Sequence, residues 1–164
     1  MLSAAKLILL FMLACVFHWA LASAFAPWGF AVNSMLVFIT AFCAILKPPF
    51  AYSMAFVGGL FLDFFGTKLF GNNAFTFTIC ACLICNLAPR FDFDELFPQM
   101  VAVFVLTWLA GLLNALLLYS FASSSLWPGF WDLLGGAVLD AVLAPIVFWL
   151  VRRILGKAPL CRQV

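Results

Sequence analysis

The chain has 164 residues, 68% of them hydrophobic and only 9% charged, with a formal charge of +2 and a mean hydropathy of +1.22. That composition lies far outside the range of a soluble domain and predicts an integral membrane protein, one in which spans of about 20 residues use up nearly the whole length. Residues 1–164 are therefore read as a single integral membrane domain, and nucleic-acid binding has no support without a basic patch interleaved with aromatics.

In chain order, apolar segments fall at about Lys6 to Ala26, Phe30 to Leu46, Ala51 to Phe65, Ala74 to Ala88, Pro98 to Ala122 and Trp131 to Val151. The pattern predicts an all-α polytopic membrane helix bundle of six transmembrane helices, or five if one of the short third and fourth segments fails to cross. The first segment also has the look of a secretory signal, with Lys6 ahead of an apolar core and Ala22-Ser23-Ala24 or Ala24-Phe25-Ala26 as cleavage sites. Its apolar stretch is longer than a signal core, so a retained first helix is expected. The joints Pro27-Trp28-Gly29, Lys47-Pro48-Pro49, 66–73, 89–97 and 123–129 are rich in breakers or polar residues. Arg90-Phe91-Asp92-Phe93-Asp94-Glu95 alternates apolar and charged residues and is expected to lie along the bilayer surface.

Orientation follows from the basic residues. Six spans with a cytoplasmic amino terminus put Lys6, Lys47, Arg90, Arg152, Arg153, Lys157 and Arg162 inside and leave only Lys68 outside. Both termini are then cytoplasmic. Trp28, Trp127 and Trp131 gather at the outer interface, and Trp149 marks the inner one.

Two acids stand within the apolar segments, and a carboxylate at that depth needs a partner. Helical spacing puts Ala55, Gly59 and Asp63 on one face of the third segment, with Lys68 or water expected to answer the acid. Gly136, Asp140 and Ala144 line a face of the sixth segment beside Ala137 and Ala141, and Thr107, Gly111 and Asn114 make a comparable stripe in the fifth. These three small-residue faces are expected to meet, because close backbone approach and a few interhelical hydrogen bonds join helices in lipid. Pro145 cannot donate to the carbonyl of Ala141, which Asn114, Asn86 or a water would then satisfy.

His18 has no second histidine and no carboxylate in its segment, so it reads as a hydrogen-bonded residue between helices rather than a metal or haem ligand. Cys15, Cys43, Cys80, Cys82 and Cys85 lie within apolar runs and read as packing residues. Cys82-x-x-Cys85 has redox spacing, but no charged neighbour in sequence activates it. No Ser-His-Asp set, zinc-protease motif, P-loop or dinucleotide fingerprint is present, so no catalytic residue, metal site or cofactor is assigned.

Gly59-Leu60-Phe61-Leu62-Asp63, followed by Gly66, Leu69, Gly71 and Ala74, resembles the Gly-Leu-x-x-Asp segment and trailing glycines of the rod shape-determining protein MreD family. Pro145 in the last helix, ahead of the basic Arg152-Arg153, is similar too, while Gly66 and Lys68 depart from the family's spacing. The resemblance implies a non-catalytic scaffold in the bacterial inner membrane. Such a protein binds the transmembrane helix of MreC and indirectly supports the MreB filament and a RodA-type glycan polymerase with its transpeptidase. It also implies a fold like the substrate-binding subunit of energy-coupling-factor vitamin transporters. A vitamin-binding subunit of that kind is one alternative function, and a proton-coupled carrier using Asp63 and Asp140 is another. On the leading reading Gly59, Asp63, Gly66 and Gly71 shape the first motif, and Gly111, Asn114, Gly136, Asp140 and Pro145 pack the bundle.

Overall fold

The computed structural model describes residues 4–28, 32–66, 69–88, 93, 95–122 and 129–156. Among them it has six α-helices: α1 (Ala4–Phe25), α2 (Ser34–Ile45), α3 (Pro48–Gly66), α4 (Asn72–Leu87), α5 (Leu96–Ala122) and α6 (Phe130–Leu155), with a short 3-10 turn, Ala26–Trp28, after the first. Four of these, α1, α3, α5 and α6, are long and apolar enough to cross a membrane. The chain is a polytopic membrane helix bundle.

The short helices are the second and the fourth, not the third and fourth. Pro48 and Pro49, expected to end a joint, instead open α3, where the first turn needs no amide donor and the proline φ is already helical. That gives α3 its 19 residues. The second apolar run, by contrast, becomes helical only at Ser34. Its 12 residues reach about 18 Å, and the 16 of α4 about 24 Å, against a hydrocarbon core of about 30 Å.

Burial explains how so short a helix is tolerated. Every residue of α2 except Ala44 is buried, and the helix touches all five others. A helix that is apolar on all sides suits a protein interior as well as lipid. Phe38 and Phe42 of α2 join Phe77 of α4 and Phe148 of α6 among the largest fully buried side chains. Phe17 of α1 meets Phe38 edge-on, with ring centroids 5.8 Å apart. The remaining helices form a wall around this central rod, and their outward faces carry Ile8, Val16, Phe64, Val105, Leu116 and Ile146 toward the membrane.

The end of the bundle that carries Lys47, Arg152 and Arg153 is called the basic end below. There the expectation for the Arg90–Glu95 stretch is corrected at Phe93. Its ring is buried, stacked on Phe148 with centroids 6.1 Å apart, instead of lying on the bilayer surface. The Phe93 carbonyl accepts hydrogen bonds from Gln99 Nε2 at 2.6 Å and from Arg152 Nη2, so the last helix and the start of α5 both hold it. Arg90, Asp92 and Asp94 lie outside the described residues, as do Lys68, Trp127, Lys157 and Arg162.

Candidate functional site

A helix that begins inside the membrane has amide donors that neither water nor lipid can satisfy. Both α2 and α4 face this difficulty, and neither is capped by its own side chains. Each is capped instead by a carboxylate from another helix.

Asp63, three residues before the end of α3, is 4% exposed. Its Oδ1 accepts from the Asn73 amide and its Oδ2 from the Ala74 amide, both at 3.0 Å. Those are the second and third residues of α4, the donors that an N-cap side chain normally serves. The negative charge also sits at the positive end of the helix dipole. Lys68, the expected partner, is outside the described residues; the partners seen are backbone amides.

Gly59 sets the distance. A Cβ there would lie 2.4 Å from Ala74 Cα and 2.5 Å from its nitrogen, so only glycine lets α3 touch the backbone of α4 one turn below Asp63. The Gly59 and Asp63 pair is thus a contact and a cap on one helical face.

Asp140 does the same for α2. It is fully buried, and both its oxygens lie 3.1 Å from the amide of Asn33, the residue that precedes the first turn of α2. Thr107 Oγ1 of α5 donates to Oδ2 at 3.2 Å. Asp140 therefore takes the part of the acidic residue in a capping box, supplied from α6.

The stripe on α5 connects the two caps. Thr107 serves Asp140. Two turns on, Asn114 accepts from Thr76 Oγ1 at 2.7 Å through Oδ1 and donates through Nδ2 to Asn73 Oδ1 at 3.3 Å. Asn73 is the residue whose amide Asp63 holds. Between them Gly111 lies against Leu133 of α6, whose Cδ1 would sit 2.3 Å from an added Cβ. The expectation that three faces meet is corrected accordingly. Those of α5 and α6 do meet, but the Ala55, Gly59 and Asp63 face packs on α4, and α3 has little contact with α5 or α6. Likewise Asn114 is engaged with α4 and Asn86 with the Cys82 sulfur at 3.7 Å, so neither amide serves the Ala141 carbonyl below Pro145.

A family model described as rod shape-determining protein MreD matches residues 2–154. The chain belongs to the rod shape-determining protein MreD family. Membership makes it a membrane protein of rod-shape determination, associated with the rod-shape machinery. No curated protein and no solved structure matches the chain.

In this MreD-family chain the remaining singled-out residues are spread along the same elements. Gly136 is buried on α6 one turn before Asp140, and the helix runs on through Pro145 to Leu155. Gly71 precedes α4 with φ +91°, a left-handed conformation, whereas Gly66 ends α3 with no heavy atom within 4 Å of an added Cβ. Gly71→Ala is therefore expected to cost about 1–2 kcal/mol through its backbone alone. Gly66→Ala should stay within about 0.5 kcal/mol of the parent. Thermal unfolding of the two variants in detergent checks the contrast.

Asn33, Asn73 and Thr76 were not singled out from the sequence, although Asn33-Ser34 and Asn72-Asn73 each directly precede an apolar run, a helix-start signal. His18 does join two helices, its Nδ1 lying 3.2 Å from Ser34 Oγ.

Proposed function

We propose that this chain is a non-catalytic scaffold of the cell-wall elongation machinery in the bacterial inner membrane. In this reading it docks the single transmembrane helix of MreC and so supports the MreB filament and a RodA-type glycan polymerase with its transpeptidase. The distribution of basic residues favours cytoplasmic termini. The observation that carries the proposal, beside the family match, is the use made of the two intramembrane acids: Asp63 and Asp140 each hold a helix N-terminus. Both carboxylates serve architecture, and the apolar outer faces of α1 and α5 are left for lipid and a partner helix.

The vitamin-subunit alternative asks for a pocket with several convergent polar groups. A cleft of about 270 Å³ opens between α1, α3 and α4, lined by His18, Trp19, Ala22, Leu62, Phe65, Gly66 and Asn73, so its walls offer two strongly polar side chains. A proton-coupled carrier would need ionisable groups in series. Here the acids are separated by a seam of neutral hydroxyls and amides.

The test is co-purification from solubilised membranes. MreC with its own transmembrane helix is expected to be retained by the tagged chain, and MreC carrying an unrelated helix is expected to be lost. Equal recovery of both, or failure of the chain to rescue rod shape in a depletion strain, overturns the proposal.

A further inference from the structure

Arg152 and Arg153 lie side by side in the last turn of α6 and go opposite ways. Arg152 turns inward, its Nη2 bonded to the Phe93 carbonyl. Arg153 is exposed, and its guanidinium carbon stands over the Trp149 ring, 5.0 Å from the centroid. Among the described residues Arg153 has no hydrogen bond and no ion pair, and Glu95, the described acid at this basic end, is not joined to it. A guanidinium resting on an indole face keeps its N–H fork free for an anion. Trp149 Nε1 is a further donor at that level, also without a partner among the described residues.

This pair closes an apolar stripe. From Val138 onward the exposed residues of α6 are Val138, Val142, Ile146, Trp149 and Arg153. Steps of three and four keep them on one face of the helix. From Val138 to Trp149 the stripe runs about 17 Å, close to half of a hydrocarbon core of about 30 Å. One turn before Val138 the face closes, because Leu134 and Gly135 are partly buried.

We propose that this face of α6 is a binding site for an anionic phospholipid of the phosphatidylglycerol type. Its phosphate sits on the Arg153 guanidinium beside Trp149, and an acyl chain lies along Ile146, Val142 and Val138. The dimensions favour a lipid over a partner's transmembrane helix: the open stripe is one leaflet deep, whereas a polypeptide crossing the membrane would run against α6 through both leaflets. Charge favours an anionic headgroup over a zwitterionic one. The carboxyl end of the α6 dipole opposes an anion with about half a charge, and the two guanidinium charges outweigh it. A phosphatidylethanolamine headgroup would bring its own ammonium against those charges, and a glycerol headgroup brings none.

The experiment uses the purified chain in detergent and native mass spectrometry, with phosphatidylglycerol and phosphatidylethanolamine of identical acyl chains added in turn. Phosphatidylglycerol is expected to bind the more tightly. Arg153→Gln should weaken its binding about tenfold, the loss of one charge-assisted bidentate contact, and Arg153→Lys should fall between, keeping the charge without the fork. Lys47→Gln, at the same end of the bundle, should stay within about twofold of the parent. Because Arg153 holds no other helix, the lipid-free unfolding midpoint of its variants should not move. A photocrosslinking residue placed at Val142 tests the stripe in native membranes without touching Arg153. It is expected to capture phosphatidylglycerol beyond that lipid's share of the membrane. Equal binding of the two lipids, equal losses from Arg153→Gln and Lys47→Gln, or capture at Val142 of a polypeptide or of lipids in bulk proportion overturns the proposal.

Discussion

Asp63→Asn is expected to damage the protein far more than Asp140→Asn, although both changes are isosteric and both acids are buried. The difference lies in what each carboxylate faces. At Asp63 both oxygens accept from backbone amides, Asn73 and Ala74, which have no second orientation. An asparagine offers one oxygen, and its NH₂ then points at an N–H group. One buried donor is left unsatisfied, at a cost of about 1–3 kcal/mol, and the opposed donors add to that. At Asp140 both oxygens share the single Asn33 amide, and the other partner is the hydroxyl of Thr107. That hydroxyl rotates to accept from an amide as readily as it donates to a carboxylate. Asp140→Asn should therefore cost about 1 kcal/mol, within the range for one hydrogen bond of altered strength. Asp140→Leu removes both acceptors from the buried Asn33 amide and the acceptor of the Thr107 hydroxyl, and should be as harmful as Asp63→Asn. Thermal unfolding of the purified variants, with their steady-state amounts in membranes, gives the comparison. If the two asparagine variants lost equal stability, or if Asp140→Asn fared worse, the capping account would be wrong.

The same caps show where the sequence was legible. Hydropathy located α1, α5 and α6 as long spans because about 20 apolar residues in a row admit one reading in a membrane, while α3 is placed but reads as short, its opening prolines having the look of a joint. It also marked Asp63 and Asp140 as groups in need of partners. The partners seen are the amides of Asn73 and Ala74 at Asp63, and the Asn33 amide with the Thr107 hydroxyl at Asp140; main-chain donors of this kind carry no signal in an inventory of side chains. Amide donors become available only where a helix starts, and the start of α2 is marked only by Asn33-Ser34, inside a segment that reads as one span from Phe30 to Leu46. A rod surrounded by protein and one surrounded by lipid have the same composition, so the central place of α2 was hidden too. Phe93 was lost for another reason. Its alternating neighbours suit the bilayer surface, whereas its contact with Phe148 joins residues far apart in the chain. The stripe Thr107, Gly111, Asn114 was correctly placed on one face of α5, but spacing within a helix does not say which neighbour the face meets.

Gly59→Ala is the second large effect expected, and it separates contact from capping. The added methyl would lie 2.4 Å from Ala74 Cα and 2.6 Å from the Asn73 carbonyl carbon, all of it main chain that cannot rotate aside. The helices must part by roughly an ångström to reach ordinary van der Waals distance. Overpacking of this kind costs about 1–3 kcal/mol where side chains yield, and a rigid backbone puts this site at the upper end. Parting α3 from α4 also stretches both bonds from Asp63, since the carboxylate sits one turn away on the same face. The two losses are coupled, so Gly59→Ala combined with Asp63→Asn should be much less harmful than the sum of the single changes. Gly111→Ala provides the control. Its nearest obstacle is the end of the Leu133 side chain, which can turn away, so the expected loss is smaller. Unfolding midpoints of the three single variants and the double variant decide the matter: additive losses at positions 59 and 63 would mean that the close approach and the cap act independently.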